Sequence, residues 1–525
     1  MCPHDSHHDS PFEPRCCPAC HGPESSAAGL TRRGFLGGLG TAAFGGVALS
    51  GLSWASVSAA GADVEPAPPR RPLVVKPILV YSTPSRRPKA SWRSWGGIQT
   101  QDEANAEAAR ISAELDRLQK KADFPVTFLP LVAIRSEREL EAAGDLATAD
   151  TALIYPSGGW SGVFDVVAGM GKDMIVFCRH KSGPVYLWYE IISPRYLRKH
   201  TDRLAVEGMD FGDVVVDDQD EILWRLRALC GLHNTIGTRI LAVGGPGGWS
   251  QPTDVIVDLV KNRWKLDIQT VTYADLGKLI GAARQDETAV ARARRRTDEY
   301  LKIPNTTLET EKIFVENAFL LEEVFRGLMK EADCRAITVN SCMGTIMPVS
   351  ETTACLPLMT LNDDGYLAFC ESDFVVVPSG ILMGNITGRP PFLHNPTYPH
   401  DGIITLAHCT APRKMDGKTL EPVRIVTHYE SDYGAAPKVD MRVGQKLTHV
   451  NPDFDAKHWV GLSSEIVDHP FLPICRSQID VRFSCGDDVL AEKMVGFHWM
   501  TVYDDYLREV GYALKKIPIE FEVLE

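Results

Sequence analysis

Basic residues are in deficit: 55 Lys and Arg stand against 68 Asp and Glu, a formal net charge of −13. That balance lacks the broad cationic face needed to hold a phosphate backbone, so nucleic acid is not expected as a partner. Paired cysteines are lacking too. Of 13 Cys, Cys2, Cys16, Cys17 and Cys20 crowd the amino terminus, and the nine from Cys178 to Cys485 contain no C-x-x-C pair. An odd number of scattered thiols does not make a disulfide scaffold. No repeat of solenoid period is present. What remains is ordinary: 44% hydrophobic and 23% charged residues over 525 positions, enough for several packed domains and too apolar for a disordered chain.

The amino terminus has its own texture. Thr31-Arg32-Arg33-Gly34-Phe35-Leu36 opens a stretch without charge until Asp63, rich in Gly, Ala and Ser. It resembles a twin-arginine export signal, with small residues suited to cleavage after Ala59 or Ala62. The expected leader is therefore residues 1–62, the mature protein periplasmic or otherwise extracytoplasmic, and no permanent membrane span is expected after cleavage. Without a functional leader the chain stays cytoplasmic. Cys17-Pro18-Ala19-Cys20-His21 matches the haem-attachment pattern, but it precedes the export signal and would be removed with it.

Beyond a Pro-rich linker, apolar runs alternate with helical stretches. Pro77–Ser82, Val126–Leu131, Thr151–Tyr155 and Asp173–Cys178 read as buried strands, and Asp102–Lys121 has helical periodicity. A second such unit contains strands at Asp213–Val216, Arg239–Gly244, Leu266–Val271 and Arg335–Asn340. From about Ile386 the pattern becomes alternating, with runs at Gly402–Ala407, Val423–His428 and Val439–Thr448 and a last helix at Thr501–Lys515. The expected fold is α/β: two Rossmann-like parallel-sheet domains, 63–205 and 206–385, followed by a smaller β-rich domain, 386–525.

Two places carry chemistry. The loop Gly244-Gly245-Pro246-Gly247-Gly248-Trp249 follows a strand and precedes a helix, where a phosphate or sugar loop sits in an open α/β sheet. Its spacing is not G-x-G-x-x-G, and Pro246 removes one donor, which disfavours a dinucleotide. Glu371 ends the strand Leu367–Cys370, at the edge where such sheets bind ligands. On the residues alone, Glu371 reads equally as an acid at a helix start.

The stretch around Glu371 resembles the L-fucose isomerase family, which includes related arabinose isomerases. The likeness rests on Cys370-Glu371-Ser372-Asp373, Leu382-Met383-Gly384 and Thr387-Gly388. Downstream it rests on Gly496-Phe497-His498-Trp499 through Val502-Tyr503, then Tyr506-Leu507 to Ile517-Pro518-Ile519. The resemblance implies a divalent metal, usually Mn²⁺ with Mg²⁺ or Zn²⁺ as alternatives, and aldose–ketose interconversion of a small sugar through a cis-enediol. Carried over, Glu371 is ligand and base, and His498 is a ligand. Asn395 occupies the position of the family's catalytic and metal-binding Asp. An amide oxygen coordinates a metal but does not shuttle a proton near neutral pH. Asp373, Glu430 or a metal-bound water could supply the missing acid, or His394 could ligate and shift the preference towards Zn²⁺. Trp95, His408, His428 and Trp499 are candidate substrate contacts, with Trp95 reaching a neighbouring subunit's site. The resemblance further implies a homo-oligomer, trimer or hexamer. The rival expectation is a non-catalytic sugar-binding protein on the same fold, or an epimerase or lyase that shares the enediolate step.

Overall fold

Continuous Val, Ile and Leu runs, apolar on both faces, suit strands covered by helices on either side. The computed structural model, which describes residues 47–49, 51–93, 96–158, 162–188, 209–249 and 251–525, places them in two parallel sheets. The first runs Val126–Phe128, Leu73–Val80, Thr151–Pro156, Asp173–Cys178, Val214–Val216 in spatial order, with Val132–Ile134 also against Leu73–Val80. Its helix Gln101–Lys121 starts at a reciprocal cap between Thr100 and Glu103 and ends on Lys120 and Lys121, which complement the helix dipole. Between this helix and the sheet, Arg179 is fully buried and bonded to Glu107 at 2.5 Å and Glu114 at 2.7 Å.

The second sheet runs Val47–Ala48, Asp267–Val271, Arg239–Val243, Ala336–Val339, Leu367–Cys370, all parallel. Its first strand lies inside the segment read as a leader. So does the helix Trp54–Gly61, whose Val57 is fully buried against the helix Lys312–Glu331. The two helices cross so closely that a Cβ on Gly61 would fall 2.2 Å from the Glu323 carbonyl oxygen. Residues 47–61 are thus packed as an edge strand and a covering helix. Arg32 and Arg33 lie outside the described residues.

The third region is a closed ring. Six antiparallel strands follow one another as Lys446–Pro452, Trp499–Tyr503, Phe392–Pro396, Ile403–His408, Ser477–Phe483 and His458–Asp468. Pairing of Lys446–Pro452 with His458–Asp468 closes the barrel. Glu520–Leu524 adds in parallel to His458–Asp468. Alternate residues fill the interior: Phe392 and His394, Ile404 and Leu406, Leu447 and His449, Trp499 and Thr501 are all buried. The opposite set, including Leu393, Met500 and Val502, packs outward on helices.

Three expectations need correction. The last helix does not begin at Thr501. Trp499–Tyr503 is a barrel strand, Asp504 breaks it at φ 68, and the helix is Leu507–Lys515. Val439–Thr448 is not one strand, because a turn at Gly444 (φ 84) separates Tyr433–Val439 from Lys446–Pro452. Pairing also crosses the boundary at 385, since Thr306–Leu308 runs parallel to Val423–His428. Among the described residues, no helix is long and apolar enough to cross a membrane.

Candidate functional site

Strand Leu367–Cys370 is the edge strand of the second parallel sheet, and Glu371 follows at its carboxyl end. There the backbone turns sharply: Glu371 and Ser372 take φ of 67 and 46. Side chains rarely adopt that region, at a cost of about 1–3 kcal/mol each, so surrounding structure must hold it. The glycine loop does so. Gly247 N–H donates to the Ser372 carbonyl at 3.0 Å, and Phe374 N–H donates to the Gly247 carbonyl at 2.9 Å. Gly244 (φ 78) permits the approach, since a Cβ there would lie 2.2 Å from the Tyr273 ring. The Gly247 amide, expected to face a phosphate or sugar, is instead spent on shaping the Glu371 turn.

The turn aims Glu371 at the end of the barrel. His408 ends the strand Ile403–His408 and His498 precedes Trp499–Tyr503. Glu371 Oε1 lies 3.4 Å from His408 Nε2, and Oε2 lies 3.4 Å from His498 Nε2. The three ligand-type atoms fall within 4.8 Å of one another. Burial opposes charge on Glu371, yet hydrogen bonds and positive charge from His408 and His498 hold its carboxyl well below the usual range. His498 Nδ1 is bonded to Asp373 Oδ2 at 2.7 Å. Burial lowers the His498 pKa, but the bonds to Asp373 and then Glu371 outweigh it and raise it to about 9.

Two imidazoles and one carboxylate on one face are a donor set for a divalent transition metal. Glu371 Oε2 is buried and meets His498 Nε2 only at 3.4 Å, a long contact that an ion between the two would replace. Asp373 meanwhile fixes the His498 ring so that Nε2 points inward, the usual support of a metal-ligating histidine.

Unpartnered atoms line the same end of the barrel. His394 pairs with Trp499 across the sheet, with rings 6.1 Å apart. Extending the pairs His449–Thr501 and Val450–Met500 sets Asn451 beside Trp499. His394 Nδ1, Trp499 Nε1 and both polar atoms of the Asn451 amide are buried without partners. Over this end stand two exposed aromatics, Trp249 (51% exposed) and Phe497 (53% exposed). Trp249 meets His498 edge-on at 5.7 Å and Phe497 at 6.3 Å.

The residues singled out from the sequence divide accordingly. Glu371 and His498 come together, and His408, expected to touch substrate, takes the third corner. Asn395 does not join them. It follows His394 on a strand, so the period of two turns it to the outer face, where it is exposed. His394 is no ligand of this set either: its Nε2 is 2.6 Å from Thr501 Oγ1. Asp373 orients the His498 ring rather than standing free as an acid, and Glu430 is exposed. His428 lies in a different cluster, with Cys355 and Cys409. Trp499 is buried at the barrel end. Trp95 lies outside the described residues. Sequence reasoning missed Asn451 and met Trp249 only as the end of the glycine loop. Asn451 had a signal, being the polar third member of the alternating set Leu447, His449, Asn451. No family model matches the chain, and no curated protein matches it.

Proposed function

We propose that this chain is a metal-dependent aldose–ketose isomerase, exported already folded by the twin-arginine route. The single observation behind this reading is the convergence of Glu371, His408 and His498 at the rim of the barrel, with each Glu371 oxygen 3.4 Å from an imidazole nitrogen. Two nitrogens and an oxygen suit Mn²⁺ or Zn²⁺ better than Mg²⁺, which prefers oxygen ligands. When bound, such an ion polarises adjacent sugar oxygens and so acidifies the C–H between them. The remaining work falls to the chain. Glu371 is the carboxylate placed to move a proton between C1 and C2. Asp373 keeps His498 in one tautomer through its Nδ1–H. His394 Nδ1, the Trp499 N–H and the Asn451 amide offer acceptors and donors for hydroxyls, and Trp249 and Phe497 offer apolar faces for a sugar ring. Homo-oligomer formation, as trimer or hexamer, belongs to the same proposal.

The test is metal analysis of purified protein combined with a screen of free aldoses and ketoses. Stoichiometric metal, interconversion of at least one pair, and loss of turnover in Glu371→Gln are expected. Metal-stripped protein that still interconverts sugars overturns the proposal.

One observation favours a second reading, a sugar-binding protein without turnover. Of the two carboxylates gathered here, Asp373 is committed to His498 and to the Val375 amide at 3.1 Å. Glu371 therefore has no free acid beside it. A binder changes tryptophan fluorescence on adding sugar but exchanges no deuterium from solvent into C1 or C2. An isomerase exchanges it.

A further inference from the structure

Behind the candidate site lies a second set of metal-type side chains, and the same two chain segments build both. Cys370 and Glu371 are neighbours, as are His408 and Cys409. Glu371 and His408 face the barrel rim. Cys370 and Cys409 sit against the back of the His408 ring, with Cys409 Sγ 3.8 Å from its Nδ1, in a group completed by Cys355, His428 and the half-buried Cys475. Each member comes from a different element end. Cys355 opens the helix Cys355–Asp363, Cys370 ends Leu367–Cys370, Cys409 follows Ile403–His408, His428 ends Val423–His428, and Cys475 precedes Ser477–Phe483.

Cys409 is the hub. Its sulfur lies within 4.8 Å of the Cys370 sulfur and of a His408 ring nitrogen, and Cys475 packs against the cluster of Cys355, Cys409 and Ala436. The ligand atoms of Cys355, Cys409 and His428 lie within 4.8 Å of one another. His428 Nδ1 faces the Glu430 amide at 3.3 Å, which leaves Nε2 as the ring nitrogen for the cluster. All of these cysteines are unbridged.

From this arrangement we propose a second, thiolate-rich metal site formed by Cys355, Cys409, Cys475 and His428 that binds Zn²⁺. Three sulfurs and one imidazole are a structural zinc set. Bonds of about 2.0–2.3 Å in a tetrahedron hold ligand atoms roughly 3.5–3.8 Å apart, so closure of about 1 Å brings Cys355, Cys409 and His428 onto an ion, and Cys475, packed beside them, swings in as the fourth ligand. The position gives the ion a role. It ties the segment carrying His408 to the helix start at Cys355, the strand end at His428 and the chain before Ser477, and so holds one corner of the candidate catalytic site from behind. Soft sulfur ligands also separate the two sites chemically, since Mn²⁺ prefers the oxygen and imidazole set in front.

The experiment uses full-length protein, stripped of metal under reducing conditions and given one equivalent of Mn²⁺ followed by Co²⁺ as a spectroscopic stand-in for Zn²⁺. The expected result is an intense thiolate-to-cobalt charge-transfer band that saturates at one equivalent and is abolished by Zn²⁺. The band persists in Glu371→Gln, which separates this site from the one in front. It is lost or markedly weakened in Cys355→Ser and, as an independent check on folding, in His428→Gln. Absence of the band in folded wild-type protein overturns the proposal and leaves a core of free thiols. A disulfide peptide containing Cys409 in protein isolated without reductant, together with failure to bind Co²⁺ after reduction, overturns it in favour of a redox pair.

Discussion

Acid should weaken this fold through His449, by an amount that follows from where the ring sits. His449 is buried in the barrel, with Nδ1 2.5 Å from Thr501 Oγ1 and Nε2 2.5 Å from Ser464 Oγ. Both neighbours are uncharged, the Trp499 ring flanks it at 6.2 Å, and the titratable ring of His394 faces it 6.0 Å away between ring centres. Burial alone lowers its pKa from the usual 6.5 to about 3. Below pH 6.5 the unfolded chain therefore takes up a proton that the folded ring refuses. The stability contributed by the neutral ring is complete above that pH and is lost as pH falls towards 3. Linkage puts the loss between pH 7 and pH 4.5 at about 2.5 kcal/mol for this residue. His394, pushed down by burial and then by His449, adds in the same direction. The assay is urea unfolding at a series of pH values for wild type and His449→Gln, whose amide reaches the same hydroxyls without titrating. The variant is less stable at pH 7, and its curve is flatter by about 2.5 kcal/mol over the interval. Parallel curves for the two proteins would refute the reasoning.

Other outcomes follow from the same geometry. Asp373→Asn exchanges the carboxylate that orients His498 for an amide, and metal affinity measured by chelator competition should fall roughly 10–100-fold. Asn395→Asp places a carboxylate on the outer face, so the same competition should return the wild-type affinity and turnover should not change. Arg179→Met leaves Glu114 buried without its cation and Glu107 with Arg110 alone, and unfolding measurements should show a loss of about 3–5 kcal/mol. A chain beginning at Asp63 lacks the edge strand Val47–Ala48 and the helix carrying Val57. It should be less stable than one beginning at Val47, by at least the roughly 1.5–3 kcal/mol of burying that one side chain.

The parallel sheets were legible because their strands are buried on both faces and read as unbroken apolar runs. Arg239–Val243 and Leu367–Cys370 are of this kind, and their helices carry caps such as Thr100 with Glu103. The barrel was legible only in part. Alternation marks each strand, but nothing local to Lys446–Pro452 or His458–Asp468 says that they pair with each other and close the ring. Tyr503 and Leu507 stand four residues apart, and an amphipathic helix absorbed the strand before it until Asp504 was seen to break the chain. The packing of residues 47–61 was hidden for a different reason. Small and weakly apolar residues suit an export signal, and they equally suit a helix that must approach another as closely as Gly61 approaches Glu323.

At the site, Glu371 was legible from its place at the end of a parallel strand, and His498 from its neighbours. The third member of the cluster was not, and the period of the strand explains why. Position 395 faces outward beside a buried His394, whatever residue occupies it, so an Asp there would be no closer to Glu371 than Asn395 is. The partner strand supplies the group instead: Asn395 pairs with Ala407, and the next residue, His408, has the inward parity. That residue is followed at once by Cys409, just as Glu371 is preceded by Cys370. The His408 ring stands between the two sets, Nε2 3.4 Å from Glu371 Oε1 and Nδ1 3.8 Å from Cys409 Sγ, so two short segments suffice to set a hard, imidazole–carboxylate group beside a soft, thiol-rich one. If both groups bind metal, the spacing of the two ions is fixed by single peptide units. Any substitution that rotates the 408–409 peptide must then disturb both sites together.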